Sequence, residues 1–233
     1  MVFRFVGVVL TFSLLAVNAY AAVVTVPGTA NPWLAGMPGG SEIIFEGTTD
    51  TAPAQSPTPV SGISLAGGAV VFSNATGGVF NIPGNCCDPL DGGVFQGQAF
   101  IDHEVGAENG IAAIRAPINS LLGVFLDDTQ PSLLTAPAGL DFEVIGLNFL
   151  SLAPTLRQVF FVGDGFTSSG TQQQFVIPVG ATRLFLGTMD GNEWGNNSGT
   201  INVVVSTVPI PAAGWLLGSA LGLLGMRRRN NRG

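Results

Sequence analysis

Asp190, Asn192, Glu193, Asn196 and Asn197 place five oxygen-bearing side chains within eight residues, in the stretch Met189-Asp-Gly-Asn-Glu-Trp-Gly-Asn-Asn-Ser198. A loop of this composition can curl several oxygens around one point. Ca²⁺ takes roughly six to eight oxygens from carboxylates, amide carbonyls and backbone carbonyls. Zinc fits poorly, because the chain has one histidine and no cysteine near this stretch. The same residues also suit a plain hairpin, since Asp-Gly, Gly-Asn-Asn and Ser-Gly are turn formers in their own right. From the residues alone, both readings stand.

The elements that must position this loop read as β-strands. Short runs rich in Val, Ile and Phe alternate with clusters of Gly, Pro, Asn and Asp. Strands are expected at Glu42–Glu46, Ala69–Ser73, Gly78–Asn81, Leu122–Leu126, Val159–Val162, Gln174–Val179, Arg183–Leu186 and Ile201–Ser206. The last two flank the oxygen-rich loop. No part of the body carries an amphipathic helical pattern longer than about three turns, and Phe149 to Leu156 is at most a helical turn. Many short strands with frequent turn signals predict an all-β fold, an antiparallel sandwich or jelly roll. Residues 22–60 are expected to form an N-terminal arm with Trp33 and Leu34 packed on the sandwich. Thr49 to Pro59, poor in apolar residues and rich in proline, is expected as a surface loop or linker. Asp127-Asp128 reads as a turn, and Asp164-Gly165 and Gln172 to Gln174 as loop tips. Cys86 and Cys87 are adjacent and can form a vicinal ring, stay reduced or bridge to another chain.

The loop and the strand after it resemble the calcium loop of the bacterial calcium-dependent galactose-binding lectins, small sandwiches of the galactose-binding-like type. The matching residues are Asp190, then Trp194-Gly-Asn-Asn-Ser-Gly199 and an alternating strand. The resemblance implies Asp190, Asn196 and Asn197 as side-chain ligands of Ca²⁺ and Glu193 as a backbone-carbonyl ligand. It implies a further carbonyl from Asn81, in the strand–turn Val70-Val-Phe-Ser-Asn-Ala-Thr-Gly-Gly-Val-Phe-Asn-Ile-Pro83. In the family the metal accepts two adjacent sugar hydroxyls. His103, Glu108 and Asn109 lie in the stretch that would grip the sugar. Trp194 is either a platform for the sugar's C–H face or a core residue. The loop here is one residue shorter than in the lectins.

Charge excludes one class of partner. The chain has no lysine, and only Arg115, Arg157 and Arg183 lie between Ala22 and Thr207, against all fifteen acidic residues, a formal charge of −12 for that segment. Such a surface repels nucleic-acid phosphates. It suits cations, or simply keeps an exported protein in solution. Catalysis is not expected. A Ser–His–Asp triad would have to use His103, the lone histidine, and no G-x-S-x-G, phosphate loop or dinucleotide fingerprint occurs.

Both ends point out of the cytoplasm. Met1 to Ala21 has an early Arg4, an apolar stretch and Ala19-Tyr-Ala21, a secretory signal peptide with cleavage expected after Ala21. Residues 208–233 begin Val208-Pro209-Ile-Pro211-Ala-Ala-Gly-Trp215-Leu, continue apolar to Met226 and end on Arg227, Arg228 and Arg229. The apolar run, about 15 to 20 residues, is marginally long enough for one membrane span with its arginines held on the cytoplasmic side. This tail resembles the PEP-CTERM sorting segment, although Ile210 stands where that family has its glutamate. The resemblance implies an exosortase-type membrane protease as partner, passage through the inner membrane of a Gram-negative bacterium, and delivery to the cell surface or exopolysaccharide matrix. The expectation is therefore an exported, single-domain β-sandwich spanning residues 22–207 that binds extracellular polysaccharide with the help of calcium. The alternative is a structural matrix protein whose loop holds calcium for stability or holds nothing.

Overall fold

A computed structural model describes residues 21–84 and 86–208. The residues expected as a signal peptide, up to Tyr20, and those expected as a sorting tail, from Pro209 onward with Pro211, Trp215, Arg227, Arg228 and Arg229, lie outside the described residues. Among the described residues no helix is long and apolar enough to cross a membrane.

The chain is all-β. Its strands in order are β1 (Ala21–Pro27), β2 (Glu42–Phe45), β3 (Thr48–Thr51), β4 (Thr58–Pro59), β5 (Ala69–Phe80), β6 (Ile101–Asp102), β7 (Ile114–Ala116) and β8 (Leu121–Leu126). They continue with β9 (Leu140–Asp141), β10 (Ser151–Leu152), β11 (Val159–Phe161), β12 (Gln174–Val176), β13 (Arg183–Thr188) and β14 (Ser198–Val208). A single helical turn, α1 (Phe142–Ile145), follows β9. Two larger sheets run β1-β14-β5-β12-β10 and β11-β8-β13-β4, and two small ones run β2-β3 and β6-β7-β9. Pairing is antiparallel except for β10 with β12 and β7 with β9.

Period-two patterning sets the long strands. In β14, Ile201, Val203, Val205 and Thr207 are buried while Thr200 and Asn202 face water. Against it, Val24 of β1 pairs with Val203 and Val26 with Ile201, which aligns the two apolar rows. The two runs expected at Ala69–Ser73 and Gly78–Asn81 are one twelve-residue strand. A bulge interrupts its ladder where Asn202 pairs with Thr76 but Val204 with Ser73, and Asn74 takes the left-handed conformation there. That extra residue breaks the alternation, which is why the sequence reads as two pieces. β8 is buried at every position.

Aromatic rings join the two larger sheets. Phe160 of β11 lies 5.3 Å from Phe125 of β8 and 5.3 Å from Phe175 of β12, and Phe175 meets Phe72 of β5 edge-on at 5.2 Å. Gly123 makes room, since a Cβ there would stand 2.6 Å from the Phe160 ring. A second cluster forms beside the loop after β13. Trp33 stacks on His103 with ring centroids 3.5 Å apart and lies 5.4 Å from Trp194. Trp33 and Leu34 are fully buried, as expected of the N-terminal arm.

Three local readings need correction. Thr49 to Pro59 is neither a linker nor a mere surface loop: it contributes most of β3, all of β4, and the buried Asp50 and Ala52. Polar composition misleads because Asp50 is buried with its carboxylate fully engaged. Gln173 is no loop tip; it is buried, and its amide donates to the Leu147 and Phe149 carbonyls at 2.8 and 2.9 Å. Phe149 to Leu156 carries strand β10 instead of a helical turn. Cys86 and Cys87 are joined to each other by a disulfide in the exposed segment after β5.

Candidate functional site

The β13–β14 connection turns back on itself because its residues permit it. Glu193 adopts a left-handed backbone with φ 62°, and a single 3-10 turn, Trp194–Asn196, follows. Two anchors hold this turn from inside. The Trp194 indole donates to the Thr188 carbonyl at 2.9 Å. Asp50 of β3 accepts from the Trp194 and Gly195 backbone N–H groups at 3.1 and 2.9 Å, and from the Asn31 amide at 3.0 Å. A carboxylate thus caps the first N–H groups of the turn that ends in Asn196 and Asn197. The sequence gives no local sign of this, since Asp50 lies more than 140 residues upstream.

Asp190 lies two residues past the end of β13 and is 6 % exposed. Its Oδ1 accepts from the Gly191 N–H at 2.7 Å. Burial pushes its carboxyl up to about 7, and the Asp50 charge adds to this; hydrogen bonds from Asn197 and from the Gly191 and Asn192 backbone pull the other way. Asn197, 8 % exposed, donates its amide to the Gly28 carbonyl at 3.2 Å. The Oδ1 atoms of Asn196 and Asn197 are both buried and accept no hydrogen bond. A buried carbonyl oxygen without a donor costs about 1–3 kcal/mol, so each of these two oxygens calls for a partner, a donor or a cation.

A cavity of about 270 Å³ opens beside the loop, lined by Asp190, Glu193, Asn196 and Asn81 among others. Four of the five residues expected to surround a cation therefore border one space. Asn197 does not line it. The Glu193 carbonyl already accepts from the Asn196 N–H at 3.2 Å. The Asn81 Oδ1 lies 3.5 Å from the Asn119 amide, which also donates to Asp88 at 2.8 Å. Glu104 and Asn192 complete the polar lining. The Asn192 amide donates to Glu104 at 2.6 Å, and the Glu104 backbone N–H donates to the Gly191 carbonyl. Glu104 went unmarked because nothing in the sequence ties it to the loop; strand β6 just before it brings it there.

The residues expected to grip a sugar lie elsewhere. Trp194 is 1 % and His103 3 % exposed. Asn109 donates its amide to the Trp33 carbonyl at 3.0 Å. Glu108 points inward, its Oε2 3.4 Å from His103 Nε2, and neither atom has another partner. None of the four lines the cavity. His103 Nδ1 lies 2.5 Å from the Gly106 carbonyl. Burial holds the imidazole down at about 4, against the Gly106 contact. Burial, with Asp50 nearby, raises the Glu108 carboxyl to about 7. A neutral ring that donates from Nδ1 to the Gly106 carbonyl leaves Nε2 as an acceptor facing Glu108.

Among the described residues no three His, Cys, Asp or Glu side chains gather as a metal-binding group. The loop's donor set is of another kind, one carboxylate with amide and peptide oxygens, the hard oxygen donors Ca²⁺ prefers over zinc. No protein family, characterised protein or solved structure of another protein matches this chain.

Proposed function

We propose that this is an exported protein that binds carbohydrate at the cell surface or in the exopolysaccharide matrix, with Ca²⁺ held by the β13–β14 loop. The observation that carries the reading is the pair of buried, unpartnered amide oxygens on Asn196 and Asn197 beside the Asp190 carboxylate. With the Glu193 carbonyl and Asn81, these residues would hold the ion, which when bound would supply a positive centre for two adjacent sugar hydroxyls. Asp190 and the two asparagines offer the oxygens, Asp50 fixes the turn that presents them, and Glu104 and Asn192 border the space beside them. Sugar contacts fall to the cavity wall rather than to Trp194, His103 or Asn109. The finer architecture we propose is a galactose-binding-like β-sandwich, the two larger sheets facing across the phenylalanine cluster. The sorting tail, with an exosortase-type protease as partner, belongs to the same proposal. A binding role is favoured over catalysis because the lone histidine is stacked on Trp33 with Nδ1 turned to the Gly106 carbonyl.

A second reading has its own support. Asp50 and the Trp194 indole already close the loop without a cation, as a purely structural matrix protein would require. Thermal unfolding separates the two. Ca²⁺ raises Tm wherever the loop binds metal, and a sugar raises it further only if the protein is a lectin. An unchanged Tm in millimolar Ca²⁺ at neutral pH refutes the metal site.

A further inference from the structure

The cavity beside the Asp190 loop is lined by residues of two kinds. Asp190, Asn192 and Glu104 are polar; Ile82, Phe95 and Ile118 are apolar. The apolar lining is built deliberately. Phe95 and Gln98 exchange both backbone hydrogen bonds, at 3.0 and 2.9 Å, around Gln96 and Gly97. Both central residues have positive φ, 50° and 83°. That is the primed two-residue turn that closes tight hairpins and fixes where its flanking side chains point. Phe95 is half-buried against the core, yet it borders the open cavity, and Ile82, 48 % exposed, lines the same cavity. Apolar side chains left wet at the rim of a polar cavity gain free energy when a ligand with an apolar face covers them.

We propose that Phe95, with Ile82, is the stacking wall of this site and takes the C–H face of a pyranose ring whose adjacent hydroxyls meet the Asp190 side. The inference rests on the carbohydrate-binding reading and extends it to the ligand class. The polar lining alone is satisfied by any vicinal diol, whereas an aromatic side chain in the same cavity selects a ring with one unencumbered apolar side. The role that the sequence offers to Trp194 thus falls to a residue of a different loop.

The test uses the full chain in saturating CaCl₂, titrated with methyl galactopyranoside, methyl glucopyranoside and methyl mannopyranoside, and with ethylene glycol as a diol without a ring face. Binding is read by saturation-transfer NMR and calorimetry for wild type, Phe95→Ala and Phe95→Trp. The expected result is a weakening of pyranose binding on the order of tenfold in Phe95→Ala. Phe95→Trp retains binding, and ethylene glycol and Ca²⁺ affinities are unchanged in both. Should Phe95→Ala not fold, Phe95→Leu removes the aromatic face at similar apolar volume and answers the same question. Pyranose binding that is indifferent to Phe95, or diol and pyranose weakened alike, overturns the stacking wall while leaving the lectin reading intact. A wild type that binds Ca²⁺ but none of the three pyranosides overturns both.

Discussion

Asp50→Asn is the perturbation that asks most of this structure. Asp50 accepts three hydrogen bonds, from Asn31, Trp194 and Gly195, and is 3 % exposed. An asparagine of the same shape keeps one acceptor oxygen and turns an amide N–H₂ toward donors. At least one N–H group then loses its partner. Hydrogen bonds to a charged group contribute about 1.5–3 kcal/mol each, and a buried unsatisfied donor costs about 1–3 kcal/mol. One effect runs the other way. Asp50 raises the Glu108 and Asp190 carboxyls, so removing its charge relieves both at neutral pH. The net expectation is a loss of about 2–4 kcal/mol, or about 5–10 °C in Tm for a body of this size. Because the turn it caps carries Asn196 and Asn197, Ca²⁺ affinity should fall by more than tenfold in the same variant. Urea unfolding and calorimetry give the two numbers. A Tm within about 1 °C of wild type with full Ca²⁺ affinity would refute the claim that Asp50 builds the site.

Four further outcomes follow from the same geometry. Asn196→Ala removes a buried oxygen that accepts no hydrogen bond, so the Ca²⁺-free protein should gain about 1–3 kcal/mol of stability while calorimetric Ca²⁺ affinity drops at least tenfold. Glu108 is raised from 4.5 to about 7, so the folded state holds its proton more tightly than the unfolded chain. Its contribution is fully present below about pH 4.5 and fades as pH rises to about 7, by about 1–2 kcal/mol after discounting for its partial exposure; Glu108→Gln should flatten that part of the pH–stability profile in urea titrations. Trp194→Phe loses the bond to the Thr188 carbonyl and core volume, with an expected cost of about 2–3 kcal/mol in chemical unfolding. Gly199→Ala places a Cβ 2.4 Å from the Gly78 carbonyl oxygen at φ +88°, and a loss of about 2–4 kcal/mol in thermal unfolding checks that the two strands meet this closely.

What the sequence carries legibly here is local. Alternating Val and Ile in β14, the apolar runs of β8 and β11, and the turn residues between them identify the strands because period and punctuation are properties of a few neighbours. The oxygen-rich loop is legible for the same reason, and it does border a cavity with Asn81. What is hidden is whatever depends on partners far along the chain. Thr49 to Pro59 has a loop's composition, yet Asp50 is buried because three donors from two distant segments converge on it. Trp194 offers an apolar face in the sequence, and only the packing of Trp33 and His103 turns that face inward. Phe95 and Glu104 carry no mark at all until the sheets bring their loops to the rim.

The distribution of charge around the loop gives the cation its strongest physical argument. Asp50, Glu108 and Asp190 lie near enough together for the first to raise the other two. A positive side chain is the usual remedy for crowded carboxylates, but no arginine of this body serves here. Arg115 pairs with Asp102 and Glu143, and Arg183 donates to the carbonyls of Asp127 and Thr129. Neither these arginines nor Arg157 contributes to the Asp190 or Glu108 shift. The protein answers Asp50 with backbone and amide N–H groups, while burial raises the Glu108 carboxyl to about 7. Asp190 is left with partial compensation and two idle amide oxygens alongside, a concentration of negative potential that a proton relieves only by making the carboxylate a poorer ligand. A divalent ion relieves it while engaging the oxygens as well. The reasoning predicts a linkage: Ca²⁺ affinity should rise with pH from about 5 to about 8 as Asp190 loses its proton, with about one proton released per ion bound. Calorimetry in buffers of different ionisation enthalpy counts those protons, and binding that is independent of pH with no proton release would place the ion away from Asp190.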